Sequence, residues 1–236
     1  EKFYSDVSEA DNMELAATSL YKLTKDNKYL TAATKFANRA KASYWCSWGD
    51  ANMYAHNLLY AENKQVTSYL IEDLDNFKGI ANESGNVWSV GHEYTWASLY
   101  SMLGVANNAL LFDENRTSDK YSVLAQNVVD YTFGLNKWGI GMVALKEDEN
   151  SIKNVYSQFY KLESSMYPSG AVAEGPGDKE THEELKQYFE IPIQNNFEEF
   201  NGTGVVFYDV NTDFQTMETT IVGLAEMVLL MALVNK

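Results

Sequence analysis

Apolar residues recur at three- and four-residue spacing along most of this chain, a period that commits it to helices packed through one face. In DNKYLTAATKFANRA, residues 26–40, Tyr29, Leu30, Ala33, Phe36, Ala37 and Ala40 share one side of a helix that Asp26 and Asn27 start. Similar stripes run through Met13 to Leu23, Ala51 to Tyr60, Val66 to Phe77, Tyr94 to Phe112, Tyr121 to Phe133 and Thr219 to Val234. The spacing predicts about seven helices and no strand. A shorter helix is expected near His182 to Phe189.

Small residues recur on these helices, as in LAATSLY, TAATKFANRA and VANNALL. Small side chains let helices approach closely, which suits hairpins stacked side by side, and no fixed sequence period marks a solenoid. The helical period fails between Gly134 and Glu180 and again from Ile191 to Met217. Loops of such length in a compact domain are functional or disordered. Trp138, Tyr156, Phe159, Tyr160, Tyr167, Phe207 and Tyr208 argue for loops packed on one rim of a helical body. No linker composition separates them from the helices, so residues 1–236 read as a single all-α domain.

Composition narrows the partners. With 45% hydrophobic residues the chain can bury a sizeable core, yet no run approaches the roughly 18 apolar residues of a membrane span. The start EKFYSDVSEADNMELAA lacks the basic and apolar regions of a signal peptide. A net charge of −15 without any basic cluster repels phosphate backbones and anionic lipid, which argues against nucleic acid and membrane partners. A neutral sugar meets no such repulsion, and 5 Trp, 16 Tyr and 11 Phe offer flat faces for it, although most aromatics fill a core. Cys46 is alone, so no intrachain disulfide forms and no Cys-based zinc motif exists. His56, His92 and His182 have no Ser or Cys nucleophile context and read as structural or solvated.

Five stretches, in order, resemble glycoside hydrolase family 9, the cellulase family built on an (α/α)6 barrel of helical hairpins. SDVSEADNMELAATSLYKLTKDNKYLTAATKFA is similar to its LYxxTxDxxYLxxA helix pair, and YWCSWGDANMYAHNLL to its WxDxxxxxxxLL stretch. VVDYTFGLNKWGIGMVA resembles DYxLGxNPxxxSxVxG, and PSGAVAEGPGD resembles PGxLVGGPN. Finally DVNTDFQTMETTI resembles the DxxxDYxxNEVAI run that carries the family's proton donor. The resemblance implies the C-terminal half of such a barrel with long rim loops, a missing N-terminal half that carries the catalytic base, and a secreted or cell-surface location.

The same resemblance puts Glu218 on the proton donor, with Asp209 and Asp213 at the family's spacing before it. It also implies substrate contacts at Asp213, Phe214, Asp209 and Asp178. Tyr156, Gln158 and Tyr160 stand where the family has a His-His-Arg triplet. The reaction implied is inverting hydrolysis of β-1,4-glucosidic bonds, in which one carboxylic acid protonates the leaving oxygen and a second carboxylate activates water. An apolar wall, such as Met217 and IVGLA could give Glu218, raises a carboxyl pKa and suits that role. The alternative for Glu218 is a first-turn acid that complements the helix dipole. No cofactor is required, but Asp11 and Asp50, with Ser8 nearby, match calcium-ligand positions. Asp11 also reads as a helix N-cap. Met217, Phe214 and Val222 depart from the family's residues, and the missing His-His-Arg triplet and the Asn that Met217 replaces speak for a second reading, a non-catalytic carbohydrate-binding or scaffold protein.

Overall fold

A computed structural model of the protein describes residues 8–162, 165–189 and 197–236. Each predicted stripe is a helix: α1 (Ala10–Thr24), α2 (Asn27–Ala40), α3 (Asn52–Leu59), α4 (Val66–Ala81), α5 (Ser98–Arg116) and α6 (Ser122–Thr132). The irregular stretches contribute a short α7 (Gln158–Leu162), α8 (Lys179–Leu185) continued by a 3-10 turn (Lys186–Tyr188), and α9 (Phe214–Met217). The last helix is α10 (Ile221–Val234). Two-residue strands β1 (Gly177–Asp178) and β2 (Val205–Val206) pair antiparallel, Gly177 opposite Val206, and were not expected. Two rungs are too few for an alternating pattern to register in sequence.

Local chemistry sets the ends of these helices. Asp26 caps α2, its Oδ1 accepting from the Lys28 amide at 3.0 Å. Helix α5 begins at Ser98 rather than Tyr94 because Ala97 takes a left-handed turn, φ 59°. Helix α10 begins at Ile221, with the Thr220 hydroxyl accepting from Gly223 N at 3.4 Å.

The hairpins α1/α2, α3/α4 and α5/α6 stand side by side. Helices α1, α3, α5 and α10 touch in turn and form one row, and α2, α4 and α6 back it. The loop from 134 to 180 packs on the rim as expected. Trp138, Ile140, Met142, Val143, Ile152, Val172 and Phe207 all join the main core. Its backbone is satisfied by single rungs, such as Ala144 N to Ala171 O at 2.8 Å and Ala173 N to Met142 O at 3.1 Å.

Both ends of the row expose an apolar stripe. On α10, Ile221, Leu224, Ala225, Val228 and Ala232 follow helical spacing and are all exposed, Ile221 at 87% and Val228 at 68%. On α1, Met13, Ala16, Leu20 and Leu23 do the same, Leu23 at 82%. A helix apolar on all sides normally lies buried. The single acid of α10 fixes its rotation: Glu226 takes the hydroxyl of Tyr54 on α3 and the amide of Asn107 on α5 at 2.7 Å. That turns the stripe away from α5.

The histidines are structural rather than solvated. His56 on α3 is fully buried, with Nδ1 2.8 Å from Glu14 Oε1 on α1 and Nε2 2.9 Å from the Lys41 carbonyl. Burial alone would lower its pKa, but the Glu14 carboxylate and the carbonyl outweigh that and raise it. An imidazole with a raised folded pKa stabilises fully below its unfolded value of about 6.5, and that contribution is lost as pH rises through the folded pKa. Urea unfolding should therefore give falling stability between about pH 6.5 and alkaline pH. Glu14→Leu strands a buried charge and should cost about 3–5 kcal/mol at pH 6. An unchanged midpoint in that variant would remove the pair from the account of the α1–α3 contact.

Candidate active site

Glu218 lies between α9 and α10 in extended conformation, φ −62° and ψ 139°. It is not in the first turn of α10, so the helix-dipole explanation does not apply; Thr220 caps that helix instead. The turn before it is fixed by Asp213, which is fully buried and caps α9 through Oδ1 to Gln215 N at 3.0 Å and Thr216 N at 3.2 Å. Its Oδ2 sits 2.9 Å from His182 Nε2 and 2.9 Å from the Thr216 hydroxyl. The His182 ring stacks on Tyr208 at 4.6 Å. Among the described residues its Nδ1 is buried without a hydrogen-bond partner.

The backbone around Glu218 is held from three sides. Tyr156 pairs alongside it, with Tyr156 N to Met217 O at 2.7 Å and Thr219 N to Tyr156 O at 3.2 Å. Glu174 N donates to the Glu218 carbonyl at 3.0 Å, and Gly175 N to Thr216 O at 3.0 Å. The Tyr100 hydroxyl, from α5, is 3.0 Å from the same Glu218 carbonyl. The Glu218 side chain is half-buried, and burial raises its carboxyl pKa above the ordinary range. Met217 beside it is fully buried and apolar.

Aromatic rings gather next to this turn. Phe214 lies 5.8 Å from Trp96, 5.8 Å from Tyr156 in a T-shaped contact, and 5.1 Å from Phe189. Trp96 and Tyr100 also line a cavity of about 900 Å³, whose walls include Trp45, Trp48, Asp11 and Asp50. The volume is within the range of small-molecule sites.

The other expected residues separate into two groups. Phe214 and Tyr156 join the aromatic cluster, and Gln158 Nε2 donates to the Tyr156 hydroxyl at 3.1 Å. Tyr160 is half-buried and packs against the core beside Phe159. The acids Asp209 and Asp178 are committed to backbone. Asp209 accepts from Lys153 N at 2.9 Å and Asn154 N at 2.8 Å. Asp178 caps α8 through Thr181 N at 2.7 Å.

Asp11 is not the N-cap of α1, a position held by Glu9. It sits in the first turn and reaches across to Ala51 N at 2.8 Å. Asp50 Oδ1 accepts from Asn52 N at 2.9 Å, and burial first, then the Asp11 charge among other groups, raises its pKa. Among the described residues no group of three or more His, Cys, Asp or Glu could hold a metal ion.

Sequence reasoning passed over Glu174, Trp96, Tyr100 and the His182–Asp213 pair. Glu174 had a legible signal, an acid inside the apolar run AVAEGPG. It is buried, and its pKa is pushed up to about 9 by burial first and by the Glu218 charge second. The others had none, because their partners are 31 or more positions away in the chain.

Among curated proteins none matches the sequence significantly. The fold is similar to a single mutant of a thermostable endoglucanase from Alicyclobacillus acidocaldarius, with TM-score 0.75 and 18% identity over 98% of this chain and 44% of that one. It is also similar to a cellulase of C. cellulolyticum in complex with cellobiose (TM-score 0.68, 19% identity, 99% of this chain and 52% of that one). A third likeness is to an endoglucanase from the termite Nasutitermes takasagoensis (TM-score 0.71, 16% identity, 100% of this chain and 53% of that one). The chain thus spans about half the length of the solved structures it matches, and its arc of hairpins is about half of an (α/α)6 barrel. The sequence profile of glycosyl hydrolase family 9 matches residues 1–231, and the chain belongs to that family.

Proposed function

We propose that this chain supplies one half of a secreted β-1,4-glucan hydrolase of inverting type, with Glu218 as proton donor and the base, an Asp, on the other half of the barrel. The observation that carries the proposal is Glu218 itself: a half-buried carboxyl on a turn tied down from three sides, its pKa raised by burial, next to Trp96, Tyr156 and Phe214. A raised pKa keeps the acid protonated at the pH where it must give H⁺ to the glycosidic oxygen. The aromatic faces offer stacking to sugar rings, and Phe214, Tyr156, Gln158 and Tyr160 are assigned to that side. Asp213, Asp209 and Asp178 serve substrate indirectly, by shaping the loops that carry those rings. Cellulase neighbours, one of them in complex with cellobiose, agree with the substrate class.

The exposed stripes on α1 and α10 support the half-barrel reading, since a closed ring would cover both. A structural calcium between Asp11 and Asp50 belongs to the same reading; the two carboxylates would supply part of its oxygen shell and backbone carbonyls, Ser8 and water the rest. The alternative, a carbohydrate-binding protein without hydrolysis, draws on buried apolar Met217, which gives Glu218 no side-chain hydrogen bond.

Joined to the N-terminal half of a family 9 domain, the chain should release reducing ends from soluble β-1,4-glucan. Activity should fall as pH rises through the Glu218 pKa, and Glu218→Gln should lower kcat by about 10²–10⁴-fold. Equal rates with and without the carboxyl remove Glu218 from the mechanism, and sugar bound without any product selects the binding reading. Ile221→Lys with Val228→Lys should abolish the gain on joining; activity undiminished in that variant means α10 is not a seam. Saturating Ca²⁺ should raise the melting temperature by roughly 5–10 °C, and Asp11→Asn with Asp50→Asn should erase the rise. A rise that persists in the double variant places the ion elsewhere.

A further inference from the structure

Glu174 is a buried carboxyl with no cation beside it among the described residues, wedged into the wall behind Glu218. Its backbone cannot shift: its N–H donates to the Glu218 carbonyl at 3.0 Å, and its own carbonyl accepts from Leu99 N, in the first turn of α5, at 3.0 Å. The next residue, Gly175, has φ +83°, and a Cβ there would stand 2.6 Å from Leu99 Cβ. From this fixed point the Glu174 side chain reaches Trp96, whose indole N–H donates to Oε2.

Trp96 is held at a cost. The residue after it, Ala97, has φ 59°, a left-handed conformation that an ordinary residue keeps only where surrounding contacts over-determine it. Trp96 is 41% exposed, lines the 900 Å³ cavity and lies 5.8 Å from Phe214. A Trp pinned by its N–H in a cavity wall and still partly exposed has ring surface available for stacking.

We propose that Glu174 is a positioning residue: without touching sugar, it fixes the plane of the Trp96 ring against which a glucan ring stacks in this cavity. This rests on the proposal that the cavity takes β-glucan. The groups facing Glu174 are Glu218 and Asp213 from the α9 turn and Tyr100 from α5. With those neighbours and its burial, Glu174 keeps its proton up to about pH 9 and accepts the indole hydrogen bond as a neutral acid.

The test uses the 236-residue chain with 15N-labelled tryptophan, the Trp96 indole resonance being identified by its loss in Trp96→Phe. That resonance should titrate with a midpoint near pH 9, stay flat in Glu174→Gln, which keeps an acceptor, and move to a solvent-like position in Glu174→Leu. A flat wild-type resonance from pH 6 to above 10, or one unmoved in Glu174→Leu, overturns the inference whatever the sugar does. Cellotetraose affinity should fall about five- to tenfold in Glu174→Leu and hold in Glu174→Gln, and Glu174→Leu should cost nothing further in a Trp96→Phe background. An equal loss in both backgrounds also overturns the inference. No cellotetraose binding by the wild type, with the indole titration intact, overturns the glucan assignment and leaves the Glu174 clamp standing.

Discussion

One phenol ties the helical body to the rim that carries Glu218. Tyr100 on α5 is buried, and its ring lies where a side chain on Gly223 of α10 would be: a Cβ there would come within 1.9 Å of Tyr100 Cε1. Only a glycine at 223 leaves room for that ring. The Tyr100 hydroxyl lies 2.9 Å from the Val172 carbonyl and 3.0 Å from the Glu218 carbonyl, and accepts from Thr220 N at 3.2 Å. Burial pushes its pKa up, so the proton these contacts need stays in place. The Glu218 backbone is thus coupled to helix packing through Tyr100, alongside the link from Leu99 through Glu174.

Several buried positions are acids, and the chain has fewer cations than anions to answer them. Each is handled differently. Glu14 faces the His56 imidazole, and Asp213 collects amides, a hydroxyl and His182. Asp73, whose pKa burial pushes to about 7, accepts from Ser43 N at 2.9 Å and Tyr44 N at 2.7 Å, and so shapes the entry to the Trp45–Trp48 loop. Glu174, whose carboxyl faces the Trp96 indole N–H, and Glu218 also shift toward the protonated form, because burial outweighs what faces them. Burial that outweighs the groups facing it is the condition under which a carboxyl can serve as a proton donor rather than a fixed charge.

The arc of hairpins was legible in sequence because amphipathic stripes are local: Tyr29 to Ala40 and Val66 to Phe77 carry their own period. So was the packing of the rim loops, since Trp138, Tyr156 and Phe207 are costly to leave in water. The start of α5 at Ser98 rather than Tyr94 is not legible locally, because the left-handed turn at Ala97 goes with contacts from residue 174, far along the chain. Asp11 looked like a cap because capping is the local option for an acid ahead of a helix, whereas its partner, Ala51 N, is 40 positions away.

Sequence by itself determined the helices, their apolar faces and the family, all of which depend on periodicity and ordered motifs within short windows. Only the tertiary structure decided that Glu218 stands outside α10, that Glu174 and Trp96 are bonded across 78 positions, and that α1 and α10 leave apolar edges open. Burial of a charge and orientation of a ring depend on segments brought together through space, and no local window contains them.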